Sequence, residues 1–342
     1  MIKLKLGNKI VKEGSKPYII AEAGINFDGK LSKCYKLIDE ASKSGADAIK
    51  FQTHIAECEM IDTKVYLAHS KKETVYQLMK RCELSLEDHK KLLNYARRKK
   101  ITFISTPFSL EAAKLLNKIN VPFFKIGSGE CNNIPLIKEV LKFKKPIIIS
   151  TGMNSIESIS KTMSSVKKYK NKIALLHCLS IYPTKANQAK LDTIKFLKKK
   201  FNCIVGFSDH STGTNLSKIA IANGANIIEK HFTVSSKWSG PDISISSEPN
   251  EILDIKNFAN DFYNSKGIKK KILKEEIPVT KFAYASVVST KDISKGEKFT
   301  KKNIWVKRPG TGYFRAVDLF KILGKKAKRN IKKDAQIKKQ DI

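Results

Sequence analysis

Residues 203–233, with the sequence CIVGFSDHSTGTNLSKIAIANGANIIEKHFT, contain two short apolar runs separated by one amphipathic segment. The runs, Cys203–Ser211 and Asn226–Thr233, are almost continuously apolar until polar residues end them. Thr214–Ala222, between the runs, has the spacing of a helix. Near-continuous apolar runs are typical of strands that are buried on both faces, so the segment predicts a βαβ unit with parallel strands.

Six further runs of the same kind precede this unit, and neighbouring runs start 22 to 54 residues apart. The eight predicted strands are Pro17–Gly24, Asp47–His54, Ile101–Phe108, Phe123–Glu130, Pro146–Met153, Lys172–Ser180, Cys203–Ser211 and Asn226–Thr233. Further amphipathic segments of helical length are Leu31–Ser44, Leu86–Arg98, Ser109–Lys118 and Asn154–Tyr169. Eight βα units in about 265 residues predict an α/β fold, a (β/α)8 TIM barrel. A doubly wound sheet is the alternative, but residues 23–29, AGINFDG, lack the Gly-x-Gly-x-x-Gly turn.

One interval is longer than the others, because Ile55–Ser85 separates the second strand from its helix. The segment is polar, contains Met60, His69 and Tyr76, and is long for a βα loop. An insertion at this place lies on the C-terminal face of a barrel, so we expect it to line a substrate pocket. The alternative is an external decoration of the barrel.

The composition changes after Tyr263. We expect a barrel domain at residues 1–265, a charged linker at 266–281 and a small, mainly β domain at 282–342. Within the small domain, Ala283–Ser289 and Ile304–Lys307 are predicted strands. Its core would be thin on its own, so we expect it to dock on the barrel or on a partner subunit.

The chain of 342 residues has 66 basic and 32 acidic side chains, which give a net charge of +34. Such an excess is typical of nucleic-acid-binding proteins. However, 60 of the basic residues are lysines, whereas base and phosphate recognition favours the arginine fork. Most lysines stand between apolar residues at helical spacing, as in Gln188–Lys200. We therefore interpret the charge as solvated helix surface and expect no nucleic-acid partner, with a basic C-terminal tail as the alternative.

The sequence predicts a cytoplasmic protein without a membrane partner. No run of 18 apolar residues is present, and Met1–Gly7 lacks the apolar core of a signal peptide. The six cysteines contain no Cys-x-x-Cys pair, which argues against a zinc cluster or a disulfide framework.

Polar side chains end all eight predicted strands, and in a barrel these ends carry the reactive groups. Lys50 and Lys125, with Thr106 and Ser128, would suit a small anion that carries phosphate and carboxylate groups. The alternative is that each lysine forms an ion pair with a nearby acid. The pattern as a whole favours an enzyme over a purely structural barrel.

Two histidines end neighbouring strands, because His210 lies at the end of the seventh predicted strand and His231 at the end of the eighth. Their imidazoles could converge on one divalent cation. Two histidines without cysteines, among oxygen donors, favour Mn²⁺ or Mg²⁺ with open coordination over structural zinc. The alternative is that both are hydrogen-bonded core residues.

Five strings in the predicted barrel and two in the tail carry a family resemblance. They are Lys125–Asn133, Ser150–Ile159, Ser208–His210, Glu229–Thr233, Gly240–Ile243, Phe282–Val288 and Trp305–Gly310. Together they resemble bacterial N-acetylneuraminate (sialic acid) synthases, and the resemblance runs from residue 17 to residue 342.

The resemblance implies a transferase that condenses phosphoenolpyruvate with N-acetylmannosamine and water. The products would be sialic acid and phosphate, released by C–O cleavage. The implied cofactor is a divalent metal, Mn²⁺ before Mg²⁺ or Co²⁺. Residues 282–342 would form an antifreeze-like (SAF) domain that reaches across a domain-swapped homodimer to the partner's active site.

The resemblance also implies roles for individual residues. Phosphoenolpyruvate would be held by Lys50, Lys125, Ser128, Thr106, Ser180 and Ser208. The metal would be held by His210 and His231. Glu22, Glu130 and Lys50 would be catalytic, the two carboxyl groups as acid–base candidates. The sugar would be recognised by Gln52, Tyr182, Asp242, Arg308 and, near Arg308, Phe282.

Four features depart from the sialic acid pattern. Phe27 and Phe51 stand in place of histidines, Ser180 stands in place of an asparagine, and Ser235–Ser239 lacks an arginine. We expect these changes to lie around the sugar and phosphate pockets. One alternative is therefore a legionaminate-type synthase that takes a 2,4-diacetamido-hexose, since Phe51 and Ser180 match such sister enzymes. An alternative of another class is an inactive relative that binds carbohydrate or nucleic acid.

Overall fold

The computed structural model describes residues 2–67, 70–268 and 270–342. The chain divides into two compact units, Met1–Lys266 and Gly267–Ile342. All six cysteines are free thiols. No helix in the described ranges has the length and apolar character that crossing a bilayer requires.

The first unit alternates strands and helices. Its strands are β1 (Lys3–Leu6), β2 (Lys9–Lys12), β3 (Tyr18–Gly24), β4 (Ala48–Thr53), β5 (Tyr66–Leu67), β6 (Ser70–Thr74), β7 (Thr102–Pro107), β8 (Phe124–Ile126), β9 (Ile147–Ser150), β10 (Ile173–Cys178), β11 (Ile204–Asp209) and β12 (Ile227–His231). Its helices are α1 (Leu31–Lys43), α2 (Ala56–Glu59), α3 (Val75–Arg81), α4 (Leu86–Arg98), α5 (Leu110–Lys118), α6 (Ile134–Lys142), α7 (Ile156–Ser165), α8 (Ala186–Ala189), α9 (Thr193–Phe201), α10 (Asn215–Ala222) and α11 (Pro249–Asn264).

Eight of these strands form one parallel sheet, in the order β7-β4-β3-β12-β11-β10-β9-β8. The two end strands, β7 and β8, lie side by side, so the sheet is a nearly closed barrel. Each of the eight lies within the bounds of one predicted strand, and the TIM-barrel prediction is confirmed. The apolar runs that predicted these strands are buried along their whole length, as in Ile147–Ser150 and Ile227–His231.

The helices surround the barrel because each has one apolar face. In α4, the buried residues His89, Leu92, Leu93 and Ala96 recur at helical spacing. Ser85 caps the helix by accepting a hydrogen bond from the Asp88 amide, while the Asp88 carboxylate accepts from the Ser85 amide. The sequence predicted this helix with its observed bounds.

The hairpin of β1 and β2 was not predicted. Its buried residues Leu4, Leu6 and Val11 pack against side chains at the N-terminal ends of the barrel strands. These include Tyr18, Ile20, Ala48, Ile104, Phe123 and Ile227. The hairpin therefore closes the N-terminal end of the barrel with apolar contacts.

The second unit contains α12 (Ile277–Ala283), the antiparallel strands β13 (Ser286–Ser289) and β14 (Ile304–Lys307), and α13 (Leu319–Ile322). Its small core includes Val287, Phe299, Ile304 and Ile322. The predicted strand Ala283–Ser289 is shorter than expected, because α12 continues through Ala283. Part of the predicted linker is therefore helical.

Candidate active site

A cavity of about 410 Å³ opens at the C-terminal ends of the barrel strands. Twelve of the fifteen residues predicted for the site line it, namely Glu22, Lys50, Gln52, Thr106, Lys125, Ser128, Ser180, Tyr182, Ser208, His210, His231 and Asp242. Leu78 and Met79 also line it, so the Ile55–Ser85 insertion contributes to the cavity as expected. His69, which was noted in that insertion, lies outside the described residues.

Two lysines and two glutamates form a buried cluster at the floor of the cavity. Lys50 Nζ lies 2.7 Å from Glu22 Oε2 and 3.7 Å from Glu229 Oε2. Lys125 Nζ lies 3.3 Å from Glu229 Oε1. Both interpretations of the lysines therefore hold, since each is ion-paired and each lines the cavity. The charges within the cluster balance, which offsets the cost of burying each one.

Two hydroxyl groups complete the hydrogen bonds of this cluster. Lys50 Nζ donates to Thr106 Oγ1 at 3.1 Å. Ser208 Oγ donates to Glu229 Oε1 at 2.9 Å. The hydroxyl groups thus orient one ammonium group and one carboxylate without adding charge.

The pKa values of the two carboxyl groups of the cluster are shifted in opposite directions. Burial raises the pKa of Glu22, although Lys50 beside it acts in the opposite direction. Burial also acts on Glu229, but Lys125 and Lys50 together outweigh it and lower the pKa of Glu229. Two carboxyl groups whose pKa values are pushed apart can divide acid–base and charge-stabilising roles. Glu22 is the one that can exchange a proton, and Glu229 stays ionised.

The pKa values of the two lysines are also shifted in opposite directions. Burial lowers the pKa of Lys50, but Glu22 and Glu229 outweigh it, so the pKa lies above its ordinary value. For Lys125, burial is the larger influence and the pKa is lowered, with Glu229 opposing. Lys50 is therefore the more firmly held positive charge.

One wall of the cavity is built around Gly152, which follows β9. The Gly152 amide donates to Ser128 Oγ at 3.0 Å. A Cβ atom on this residue would lie 2.5 Å from Ser180 Oγ, 2.8 Å from Ser128 Oγ and 3.2 Å from Cys178 Sγ. Only glycine leaves room for these three side chains to converge, so a small polar pocket exists here because position 152 has no side chain.

The two predicted metal ligands do converge. The rings of His210 and His231 have their centroids 5.2 Å apart. His210 Nδ1 lies 2.6 Å from the carbonyl oxygen of Leu179, so that nitrogen donates, and in the neutral ring the lone pair is on Nε2. His231 Nδ1 is buried and has no hydrogen-bond partner among the described residues. The Asp242 Oδ2 atom lies 3.6 Å from it.

These residues fit a divalent cation with an open coordination sphere. Burial, then His210 and Lys50, hold the pKa of His231 well below its ordinary value, so the ring is neutral, the form that binds a metal. Among the described residues there is no cluster of three or more histidine, cysteine, aspartate or glutamate side chains that could hold a metal. A metal at this place would take two imidazole nitrogens from the protein, and water or substrate oxygens would have to complete its coordination.

The sugar-reading candidates of the barrel lie beside these histidines. The Tyr182 ring stacks on His210 with a centroid distance of 4.2 Å, and about half of the residue's surface is exposed. Gln52 Nε2 donates to Glu22 Oε1 at 3.1 Å. Asp242, Tyr182 and Gln52 therefore border the metal-ligand candidates and the acid–base candidate.

The cavity lining within the first unit leaves three predicted site residues to describe. Glu130 lies in a 3-10 turn at Ser128–Glu130, where its carboxylate accepts from Asn133 Nδ2 and helps to start α6. Phe282 and Arg308 belong to the second unit, where the Arg308 guanidinium lies 5.7 Å from the centroid of the Phe282 ring. They therefore lie together, and Phe282 is exposed.

The expectation that Phe27 and Phe51 lie around the pockets is wrong. Both side chains are fully buried, and their rings meet edge to face at 6.1 Å. They point away from the cavity and pack in the layer between strands and helices, where Phe51 also stacks on Phe103. Ser180, in contrast, does line the cavity.

Two ionisable residues of the cavity were not assigned a role from the sequence. Glu229 was noted only as a strand-end residue, yet it contacts both lysines. Cys178 was considered only among the six cysteines that were expected to form no zinc cluster or disulfide framework, yet its Sγ atom lies 3.5 Å from Ser128 Oγ and 3.9 Å from His210 Nδ1. The available signal was periodicity, because residues two apart on a strand share a face and Glu229 shares that of His231.

Comparison with known proteins identifies the family of this chain. Residues 37–271 match the NeuB family and residues 284–342 match the SAF domain. The chain is 39% identical to N,N'-diacetyllegionaminic acid synthase of Campylobacter jejuni, over 94% of this chain and 99% of that protein. It is 30% identical to N-acetylneuraminate-9-phosphate synthase of Mus musculus, over 95% of this chain and 92% of that protein.

A solved structure is similar along most of its length. The crystal structure of N-acetylneuraminic acid (sialic acid) synthetase from Leptospira borgpetersenii serovar Hardjo-bovis, in complex with citrate, superimposes with a TM-score of 0.72. The match covers 81% of this chain and 94% of that one, at 33% identity. The chain therefore belongs to the NeuB family of sialic, legionaminic and pseudaminic acid synthases, is an enzyme of that family, and carries a SAF domain.

Proposed function

We propose that the cavity condenses phosphoenolpyruvate with an acylated hexosamine to form a nine-carbon sugar acid and phosphate. The observation that carries the proposal is the arrangement of two buried ammonium groups, two buried carboxyl groups and two converging imidazoles at one end of the barrel. An anion site, an acid–base group and a cation site are the three elements that this reaction needs.

Phosphoenolpyruvate binds at the lysine end of the cavity. Lys50 and Lys125 provide the positive charge, while Thr106, Ser128, Ser180 and Ser208 provide hydroxyl groups that orient the phosphate and the carboxylate. Because Glu22 and Glu229 already neutralise the lysines, the charge available to the substrate is moderate. This suits a site that must also release phosphate.

The chemistry needs one new carbon–carbon bond and one broken carbon–oxygen bond. The π electrons of phosphoenolpyruvate form a bond from C3 to the aldehyde carbon of the open-chain sugar, and the aldehyde oxygen takes up a proton. Positive character at C2 is relieved by water, and the resulting adduct expels phosphate by cleavage of the C2–O bond. Glu22 accepts the proton of that water, since burial raises its pKa toward the working range.

The cofactor in this proposal is a divalent metal, Mn²⁺ before Mg²⁺ or Co²⁺, held by His210 and His231. When bound, it would act as a Lewis acid on the sugar aldehyde. The protein supports this role by keeping His231 neutral and by fixing the His210 ring through Leu179.

For the acceptor sugar, we favour a 2,4-diacetamido-hexose over N-acetylmannosamine. The diacetyllegionaminic acid synthases of Campylobacter jejuni and Legionella pneumophila are 39% and 35% identical to this chain. Relatives named for N-acetylneuraminate or its 9-phosphate are 29% to 33% identical. Ser180, which lines the cavity, also matches the sister synthases rather than the sialic acid pattern. N-acetylmannosamine, the acceptor favoured by the sequence strings, is the second candidate.

A phosphate-release assay with phosphoenolpyruvate and Mn²⁺ tests the proposal and separates the acceptors. Each sugar is supplied alone, and the product is identified by its mass. Phosphate release with either sugar supports the condensation, and a higher kcat/KM for the diacetamido sugar supports the favoured acceptor. Absence of release with both sugars in the presence of metal would contradict the function.

The remaining sequence-based expectations are part of the same proposal. The enzyme is cytoplasmic and forms a domain-swapped homodimer in which Arg308 and Phe282 of the SAF domain meet the acyl group in the partner's cavity. Light scattering of the full chain tests the dimer. Loss of acceptor affinity on Arg308→Ala, with an unchanged KM for phosphoenolpyruvate, tests the residue.

A further inference from the structure

A chain of hydrogen bonds leads from the acid–base candidate Glu22 to the insertion after β4. Gln52 Nε2 donates to Glu22 Oε1 at 3.1 Å. On the other side of the same carboxamide, Gln52 Oε1 lies 3.2 Å from His54 Nε2. His54 Nδ1 lies 2.9 Å and 3.0 Å from the two carboxylate oxygens of Glu59. Neither His54 nor Glu59 was given a role from the sequence or from the cavity.

This chain lies inside the protein and is held firmly. The side chains of His54 and Glu59 are only 3% and 4% exposed. The His54 ring stacks on Phe108, a cavity residue, with a centroid distance of 4.5 Å and an angle of 14° between the planes. Helix α2, which carries Glu59, is fixed at its start because the Ala56 amide donates to Glu83 Oε1 at 2.8 Å. The His54 ring is thus fixed by a stacking contact and by two hydrogen bonds in its plane.

The protons on His54 follow from what its two nitrogens face. Nδ1 faces a carboxylate, which only accepts hydrogen bonds, and Nε2 faces the carbonyl oxygen of Gln52, which also only accepts. With the Gln52 carboxamide in this orientation, both ring nitrogens face acceptors, so the arrangement calls for a proton on each of them and for Glu59 as the partner that balances the charge. Turning the Gln52 carboxamide over would place its oxygen against Glu22 Oε1, so that two acceptors would meet whenever Glu22 is ionised.

We propose that Glu59 and His54 are positioning residues that hold the Gln52 carboxamide with its NH2 group toward the cavity. Gln52 then has one N–H for Glu22 and a second for an oxygen atom of the acceptor sugar. This inference rests on the proposed function, because it is there that Gln52 meets the sugar.

The space in front of Gln52 is open because position 24 is a glycine. Gly24 has a φ of +52°, and a Cβ atom there would lie 3.5 Å from Gln52 Nε2, 3.4 Å from Asp242 Oδ2 and 3.6 Å from Glu22 Oε1. A nitrogen donor and two carboxylate oxygens thus surround one small space. The chemistry that fits between them is a polyhydroxylated group that both donates and accepts, which is what a sugar offers.

The protonation state can be measured without any turnover. Long-range ¹H–¹⁵N spectra of the ¹⁵N-histidine-labelled full chain report both nitrogens of each of its six imidazoles, and a His54→Gln variant identifies the His54 signals. At neutral pH we expect both His54 nitrogens to be protonated in the wild type, and one to lose its proton in Glu59→Gln. A neutral His54 ring in the wild type, with Gln52 turned over, would overturn the proposal even if Glu59→Gln failed to fold.

The consequence for the sugar is measured by steady-state kinetics. Glu59→Gln should raise the KM for the acceptor sugar about tenfold, the effect of one hydrogen bond lost from part of the population. The KM for phosphoenolpyruvate should stay within about twofold, because Lys50 and Lys125 are unchanged. Glu57→Gln is the matched control, since Glu57 lies on the same helix but pairs with Lys80 at the surface.

The two experiments separate this inference from the proposed function. If the wild type releases no phosphate with either sugar, the proposed function fails while the imidazolium can still be observed. If the wild type is active, equal effects of Glu59→Gln on the KM of both substrates would overturn the positioning role.

Discussion

The two ends of the barrel are made by the same eight strands and differ in almost every physical respect. At the N-terminal end, apolar residues of the strands and the β1–β2 hairpin form a closed cluster. At the C-terminal end, the interior holds two lysines, two glutamates and two histidines around a cavity. One end is filled with hydrocarbon, and the other is left open and charged.

The difference shows how the protein stays folded although buried polar atoms at the open end lower its stability. At the open end, Ser150 Oγ and His231 Nδ1 are buried, and neither has a hydrogen-bond partner in the described part of the chain. Each such atom costs about 1–3 kcal/mol. Burial of apolar side chains at the closed end contributes free energy that offsets this cost. The closed end therefore contributes stability and the open end contributes activity. Substitutions at the open end should change activity, and substitutions at the closed end should change the free energy of unfolding.

The largest effect is expected at the open end, from His231→Ala. Loss of one of the two proposed metal ligands should lower kcat/KM about a thousandfold, and excess Mn²⁺ should not restore it. The melting temperature should not fall, because a buried nitrogen without a partner is removed. The phosphate-release assay and a thermal melt measure the two quantities.

A matched control for that variant is His177→Gln. His177 lies on β10 of the same barrel, but its Nε2 lies 2.7 Å from the Ala189 carbonyl oxygen and it does not line the active-site cavity. Its activity should stay within about threefold of the wild type. Metal-independent turnover by His231→Ala, or equal losses in both variants, would contradict the ligand assignment.

The next effect is expected at the closed end, from Leu6→Ala. Leu6 is fully buried under the barrel, so the variant should lose about 3 kcal/mol of unfolding free energy while kcat and both KM values stay unchanged. Ile10→Ala, on the same hairpin, is the control, because Ile10 is 59% exposed and its variant should keep the wild-type stability. Urea unfolding measures both. A changed KM in folded Leu6→Ala would show that the two ends are coupled.

The sequence predicted the barrel well because buried parallel strands are continuous apolar runs. It did not predict the hairpin, whose strands Lys3–Leu6 and Lys9–Lys12 have four residues each and are rich in lysine. The signal for it was weak: Lys3–Leu6 alternates lysine with leucine, and a Gly7-Asn8 turn separates the strands, with Gly7 at a φ of +59°. Short alternating strands gain their stability from packing under the barrel, which a local pattern does not contain.

Within the site, the sequence identified which residues line the cavity but not which side chains they contact. Strand periodicity places Lys50 and Gln52 on one face and Phe51 on the other, and the structure follows that rule. The partners of the lysines could not be predicted, because Glu22 and Glu229 come from strands far apart in the chain that are neighbours only in the closed sheet. The same applies to Glu59, which reaches Gln52 only through the fold of the insertion.

A smaller effect is expected at the wall of the cavity, from Gly152→Ala. The new Cβ atom would collide with Ser180 Oγ and Ser128 Oγ and move two hydroxyl groups of the proposed phosphoenolpyruvate site. The KM for phosphoenolpyruvate should rise about tenfold, the effect of one weakened hydrogen bond, while the KM for the sugar stays within about twofold. Steady-state kinetics with each substrate varied in turn measures both. A selective rise in the KM for the sugar would mean that the sugar, not phosphoenolpyruvate, occupies this pocket.

The smallest effect concerns the dependence of stability on pH, through His89 in the layer between barrel and helices. Its ring is fully buried between Thr53 Oγ1 and the Ser85 carbonyl oxygen, each 2.9 Å away, and burial lowers its pKa. In the unfolded chain the ring is protonated below about pH 6.5, whereas in the folded protein its pKa is lower and the ring stays neutral to a lower pH. The unfolded state therefore binds more protons, and the free energy of unfolding falls as the pH drops below this value, by at most about 1.4 kcal/mol per pH unit for this group. His89→Gln should be less stable than the wild type at neutral pH but should show a shallower fall between neutral and mildly acidic pH in urea unfolding. An unchanged slope would mean that His89 is protonated in the folded protein, and that the layer around the barrel is less apolar than its burial indicates.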